Sequence, residues 1–418
     1  ANAAAGLELD VGDLVLARRN QLGGDYFLAK LSSAGEWQWA KRAASSPTFG
    51  SKWAYAYGLA VTPSGDTFLS GSLSKAGGIT FDSINVADDN DAAASGVDVF
   101  VAKCSSDGVW QWVATSRMPN AGYRNANKGH AIAILPSGGA IVTGEYLGTL
   151  AFGGTTLISA GLNDAFVARV SDAGEWQWAV SAGGAGRDRG HGISVAEDGS
   201  ISVTGELGFK YSASVGGFLP VEFGSIALPC TGASGYSVAC ANHQIFAAQL
   251  SSSGEWMWVT HSKYGRSSGR AVATAGGTLV AGEFMGYSYA KFGPFHVSRL
   301  GPTEDAIVAK VSADGTWEWA LMLGSEESDY ENHPRDHHAT SLAVLPSGRV
   351  LVAGSFSGTL ACSPHIASFS AMPAISSVGQ SPNIYLIAFD QAPPTPSPPS
   401  LPSPSPLPPS PPRVPTST

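Results

Sequence analysis

The sequence predicts an all-β fold, a five-bladed β-propeller followed by an extended polyproline II tail, and three observations carry that prediction. The first is a phrase, Glu36-Trp37-Gln38-Trp39, rewritten at Trp110-Gln111-Trp112, Trp176-Gln177-Trp178, Trp256-Met257-Trp258 and Trp317-Glu318-Trp319. Ten of the eleven Trp serve it, so the chain is an array of one supersecondary unit. The second is its spacing: successive second Trp lie 73, 66, 80 and 61 residues apart, longer than most solenoid repeats. The third is that no helical periodicity occurs inside the repeat, which leaves propeller blades as the unit.

Each blade contains four segments, a to d, and blade two shows them best. Strand a is Ala131-Ile132-Ala133-Ile134 and strand b is Ala140-Ile141-Val142-Thr143-Gly144. Strand c is Ala165-Phe166-Val167-Ala168-Arg169 and strand d is Trp176-Gln177-Trp178-Ala179. Pro63-Ser64-Gly65, Pro136-Ser137-Gly138, Asp198-Gly199, Gly276-Gly277 and Pro346-Ser347-Gly348 separate a from b and read as two-residue hairpin turns. Ser-rich turns closed by Gly35, Gly108, Gly174, Gly254 and Gly315 separate c from d. Residues i and i+2 share a strand face, so the paired Trp read as inter-blade packing.

Connection lengths separate the two faces of the molecule. Phe27, Phe100, Phe166, Phe246 and Ile307 each precede the first Trp of their blade by 10 residues. The b-to-c excursion instead varies from 21 to 40 residues, counted from Glu145 to Phe166 and from Glu206 to Phe246. All the length variation therefore falls on one face, where a scaffold keeps its binding loops. The count leaves a remainder, because six c strands accompany five each of a, b and d. Leu9–Leu16 reads as the middle of one more excursion. Five blades close the ring if the N-terminal d strand completes the last blade, leaving half a blade surplus. A six-bladed ring is the alternative.

The segments Asp164-Ala165-Phe166-Val167-Ala168-Arg169, Asp305-Ala306-Ile307-Val308-Ala309-Lys310 and Val142-Thr143-Gly144, with the Trp-x-Trp strand, resemble a bacterial-type family of β-propeller repeats. The resemblance covers residues 5–390 and implies the fold but no chemistry, since that family shares no single activity.

With 418 residues, 44% hydrophobic and 14% charged, the chain can bury a large core. A net charge of −9 with scattered Lys and Arg argues against nucleic acid as a partner. No apolar run approaches the ~20 residues that span a bilayer. The opening Ala-Asn-Ala-Ala-Ala-Gly, without Met, suits a processed secretory N-terminus as well as a trimmed one. Cys230 and Cys240 lie inside the longest excursion and are expected to form a disulfide, which implies an oxidising compartment. Cys104 and Cys362 stand in apolar columns and are expected to be free, buried thiols.

Residues 391–418 form a second region, rich in Ser-Pro and Pro-Pro blocks, that is expected to be polyproline II. These blocks resemble the hydroxyproline-rich glycoproteins of green algae and plants. That resemblance implies O-linked glycans on hydroxylated Pro393, Pro394, Pro396, Pro398, Pro399, Pro402, Pro404, Pro406, Pro408, Pro409, Pro411 and Pro412. No Asn-x-Ser/Thr sequon occurs.

One constellation stands out. His130 and Glu145 are equidistant from the hairpin turn, as are His191 and Glu206, and Arg270 and Glu283. Tyr57 with Ser72 and Thr340 with Ser355 complete the set. These five pairs are expected to face each other across the inner hairpins at the channel mouth. Their structural reading is five matched pairs that hold strand ends; their functional reading is a ring that binds a cation or a sugar. Glu145, Glu206 and Glu283 are repeat-equivalent and paired with bases, unlike the differentiated carboxylates of glycosidases, so no enzyme activity is expected. No nucleophile elbow, phosphate loop, dinucleotide fingerprint or HExxH motif is present, and no cofactor is expected. The polar stretches Glu326–His338 and Asp88-Asp89-Asn90-Asp91 lack ligand spacing, so no metal site is assigned. The expected function is an extracellular structural or adhesive glycoprotein, a building block of a surface layer or fibre that self-associates head to tail. Its expected partners are other copies and extracellular matrix components. A carbohydrate-binding propeller on a Pro-rich stalk is the alternative.

Overall fold

The computed structural model describes residues 8–11, 14–17, 26–45, 54–73, 79–87, 97–118, 127–230, 243–285, 289–300, 304–324, 337–356, 359–362, 375–376 and 383–389. Five antiparallel blades follow one another as a β-propeller. Blade one is Ala54–Val61, Thr67–Leu73, Asp98–Cys104 and Trp110–Thr115. Blade two is Lys128–Ile134, Ala140–Tyr146, Asp164–Val170 and Trp176–Gly184, and blade three is Arg189–Val195, Ile201–Gly208, His243–Leu250 and Trp256–His261. Blade four is Ser267–Thr274, Thr278–Phe284, Asp305–Val311 and Trp317–Gly324. Blade five has three described strands, His338–Val344, Val350–Phe356 and Asn383–Phe389.

The a–b loops differ from expectation. Thr62 N–H donates to Asp66 O and Leu135 N–H to Gly139 O, so each encloses three residues and not two. Gly65 and Gly138 sit at φ of 88° and 90°, the left-handed position that ends such a loop.

The core lies between blades. One face of strand c in blade two, Ala165 and Val167, packs on Ile201, Val203, Phe246 and Leu250 of blade three. The two Trp of each phrase lock these layers in different ways. The first grips an excursion of its own blade: Trp110, Trp176, Trp256 and Trp317 lie edge-on to Phe81, Phe152, Phe223 and Phe292 at 4.8–5.1 Å. The second reaches forward, with Trp39, Trp112, Trp178 and Trp258 lying under the turn glycines 108, 174, 254 and 315 of the next blade. Trp39 and Trp112 also donate their indole N–H to carbonyls of that turn, Ser106 O and Asp172 O.

The excursions contain structural staples. Val221–Phe223, which follows strand b of blade three, pairs with the outer strand of blade two, and Thr359–Cys362 pairs with that of blade four. Single bridges, Arg117 to Ala151 and Lys263 to Lys291, do the same at the other two seams. The joint recurs although the excursions differ in length, and in blade three an extra hairpin, Tyr211–Ser212 with Gly217–Phe218, is inserted before it.

Ring closure differs from the sequence-based expectation. The N-terminal strands Tyr26–Leu31 and Trp37–Ser45 pair with each other and with Ile79–Phe81, and no described residue of theirs joins blade five. The N-terminal d strand therefore does not complete the last blade; it belongs to a separate half-blade in front of blade one. The reason is local: strand c is fused to it by a short turn, and the staple of blade one takes its outer edge. Glu8–Val11 and Leu14–Ala17 form a hairpin in the segment read as one more excursion.

Cys104 is free and buried, and Cys230 is disulfide-bonded. Cys240, the Cys362 side chain, Asp88–Asp91, residues 325–336 and the whole tail with its prolines lie outside the described residues. No helix long and apolar enough to cross a membrane is found among the described residues.

Candidate functional site

Strands a and b of each blade pair with each other, but not in the expected register. Glu145 lies opposite Lys128, Glu206 opposite Arg189, and Glu283 opposite Ser268. A β-bulge between 129 and 131, 190 and 192, and 269 and 271 removes His130, His191 and Arg270 from the ladder. Ser72 and Ser355 likewise face Tyr55 and His338, not Tyr57 and Thr340. The bulge has a cause in strand b. A Cβ on Gly144 would lie 1.7 Å from Lys128 O, and one on Gly205 1.9 Å from Arg189 O, so the crowded backbone needs glycine there.

The three glutamates are nevertheless the centre of the site. Glu145 accepts from Lys128 Nζ at 3.0 Å, Asn163 Nδ2 at 2.9 Å and Arg189 Nε at 2.8 Å, with His130 Nε2 at 3.5 Å. Glu206 accepts from Arg189 Nη1 at 2.5 Å and faces His243 Nδ1 at 3.2 Å. Glu283 is paired with Arg270 and with His338 Nδ1 at 2.9 Å. The expected pairs therefore survive as contacts for His130–Glu145 and Arg270–Glu283, whereas no hydrogen bond or ion pair joins His191 to Glu206, which interact only electrostatically. Arg189 spans two blades and His338 reaches Glu283 from blade five, so the network also sews the seams.

All three carboxylates are buried, which raises their pKa, but the surrounding donors win. Glu145 is held well below the usual range by His130, Arg189 and Lys128, and Glu206 is held at about 2 by His243, His191 and Arg189. Glu283 is lowered by His338 and Arg270. His191 goes the other way: burial and then the neighbouring His130 push it down to about 3, so it is neutral at pH 7. The bulge side chains form an aromatic run, with Tyr57 stacked on His130 at 5.6 Å and His130 edge-on to His191 at 5.0 Å.

These environments do not separate an acid from a nucleophile, because all three glutamates stay ionised. A raised carboxyl does occur at Asp188, pushed to about 7 by burial. Its two oxygens accept backbone N–H groups of Gly184 and Gly208, and it is fully buried, so it ties backbone together. Among the described residues Glu283, Glu304 and His338 bring donor atoms within 4.8 Å of one another, a spacing a divalent ion can use. Arg270 already neutralises Glu283 there. Sequence reasoning missed Lys128, Asn163, Arg189, His243 and His338. Lys128 and Arg189 were findable, because glycine inside a strand signals a bulge.

No protein-family model matches the chain, and no curated protein is similar to it. Among solved structures it is similar to a protein of unknown function from Bacteroides caccae, at 12% identity over 78% of this chain and 81% of that one, with a TM-score of 0.34. It is also similar to YCF48 in a structure bound to D1 peptide, at 12% identity over 77% and 80%, with a TM-score of 0.27.

Proposed function

We propose that this chain is an extracellular structural building block that associates head to tail with further copies and carries O-linked glycans on its Pro-rich tail. One observation carries the reading: the two outermost faces of the blade series expose residues whose equivalents are buried at internal seams. Ile384 and Leu386 of blade five are 87% and 66% exposed, whereas Ala165 and Val167 in the same columns are 3% and 1% exposed. At the other end Phe27 is 50% exposed, against 0% for Phe166. Gly35 has nothing within 4 Å where glycines 108, 174, 254 and 315 each cover a Trp of the preceding blade. The exposed face of blade five is the kind that packs forward, and that of the half-blade is the kind that receives it. Two different complementary faces make a heterologous contact, which propagates when the rotation does not close. The disulfide at Cys230 supports an oxidising location. The compensated ion pairs at the channel mouth support a structural role for that ring.

Light scattering of the full-length protein tests this. Concentration-dependent growth is expected, and Leu386→Glu or Phe27→Glu alone should each give monomers. Mixing those two variants should restore a 1:1 dimer, because each retains one intact face. A wild-type monomer up to concentrations of about 100 μM, a Kd for which association yields only ~5 kcal/mol, would overturn the reading.

A further inference from the structure

The seam between blades three and four departs from its sister seam between blades one and two, although each is joined by a single backbone bridge at the equivalent position, just past the second Trp and just before the excursion Phe. Lys263 and Lys291 bridge their backbones as Arg117 and Ala151 do. At the sister seam the next residue, Met118, is buried in the core, and the Trp176 indole donates to Thr115 O at 3.1 Å. At the seam of blades three and four the residue aligned with Met118 is Tyr264. It takes a φ of 63°, rare for a bulky side chain, and its ring lies 5.1 Å from that of Tyr289. A cavity of about 370 Å³ lies there, lined by His261, Lys263, Tyr264, Lys291 and Trp317 among others. The volume falls in the range of small-molecule sites.

The lining is unbalanced in charge and in hydrogen bonding. No carboxylate pairs with Lys263 or Lys291 among the described residues, and both residues line one cavity. Trp317 is buried, and its indole N–H has no acceptor, unlike that of Trp176. Trp110 and Trp256 share that orphan donor, so it counts here only beside the cavity and the two cations. His261 Nδ1 donates to Ser262 O at 2.6 Å, since a carbonyl can only accept. Burial, helped by Lys263, lowers its pKa to about 4, so Nε2 is left as an acceptor. Two cationic residues, the Tyr264 hydroxyl, one imidazole acceptor and aromatic walls suit a ligand with a negative charge and hydroxyl groups on a small ring.

We propose that this cavity binds an acidic monosaccharide unit, its carboxylate between Lys263 and Lys291 and its hydroxyls toward His261 and Tyr264. The site lies among outer strands and excursions, includes none of the three glutamates of the inner hairpins, and does not depend on self-association. Isothermal titration of the full-length protein with glucuronate and galacturonate, alongside glucose and acetate, tests it. One uronate is expected to bind with a Kd on the order of 1 mM, and glucose and acetate at least tenfold more weakly. Lys291→Ala, which installs the residue of the sister seam, should weaken uronate binding at least tenfold and leave thermal unfolding unchanged. Tyr264→Met, again the sister residue, should weaken it as well. Absence of uronate binding overturns the proposal, as does binding that survives both substitutions. Equal binding of acetate overturns the sugar assignment, and equal binding of glucose overturns the role of the lysines.

Discussion

The indole of Trp39 fills the space that a side chain at Gly108 would need: a Cβ on Gly108 would lie 2.8 Å from Trp39 Cδ2. Gly108 also holds a φ of 81°, so two constraints meet at one residue. Gly35 shares the φ, at 83°, without the neighbour. Gly35→Ala should therefore cost about 1 kcal/mol for the left-handed backbone alone. Gly108→Ala and Gly174→Ala should cost about 2–3 kcal/mol, because the wedge of the preceding blade must also shift. Urea unfolding of the three variants gives the comparison, and equal losses would mean that the Trp wedges do not press on the turns.

Arg189 holds a carboxylate on each side of a seam. Arg189→Leu leaves Glu145 with Lys128 and Glu206 with His243, both still buried. A loss of about 3 kcal/mol is expected, the range for breaking a buried pair from one side. The double change Arg189→Leu with Glu206→Gln should recover part of it. No recovery would show that the guanidinium acts by packing alone.

Acid should destabilise the fold in two windows. His191 titrates at about 3 when folded against 6.5 when free, so the unfolded chain takes up the proton first and stability falls as pH drops from 6.5 toward 3. Glu206 titrates at about 2 when folded against 4.5 when free, so its contribution is complete above 4.5 and is lost as pH falls through 2. Thermal unfolding followed between pH 7 and pH 2, limits set by these two groups, should show His191→Gln flattening the upper window and Glu206→Gln the lower. Unchanged slopes in both variants would place the acid sensitivity elsewhere.

Cys104 is buried, and burial pushes its thiol up to about 11, so it should resist labelling in the native protein. Unfolding without reductant should expose two reactive sulfurs, Cys104 among them, and peptide mapping should find Cys230 linked to Cys240. A labelled Cys104 in the folded state would contradict its burial.

Native material should carry pentose or hexose ladders on residues 393–412, read by intact-mass spectrometry. An unmodified tail would remove the glycoprotein part of the proposed function.

Much of this molecule was legible in its sequence, because the repeat is written in residues whose roles are local. Alternating apolar strands, turn glycines and the Trp-x-Trp phrase specified blade order, the all-β class and the inter-blade packing of the second Trp of each phrase, whereas the first Trp packs on its own blade's excursion. Glu145, Glu206 and Glu283 occupy equivalent positions near the end of strand b in their blades. Their partners were not legible, because mirror symmetry about a turn assumes an unbroken ladder. Gly144 and Gly205 mark bulges that shift every partner beyond them, and only the folded backbone shows which residue leaves the ladder. Arg189 lies 44 positions from Glu145 and meets it only because blade three rotates against blade two. The sequence also counted half a blade too many without placing it. That placement depends on which edge the staple Ile79–Phe81 takes, a competition between surfaces that exists only once the blades are packed.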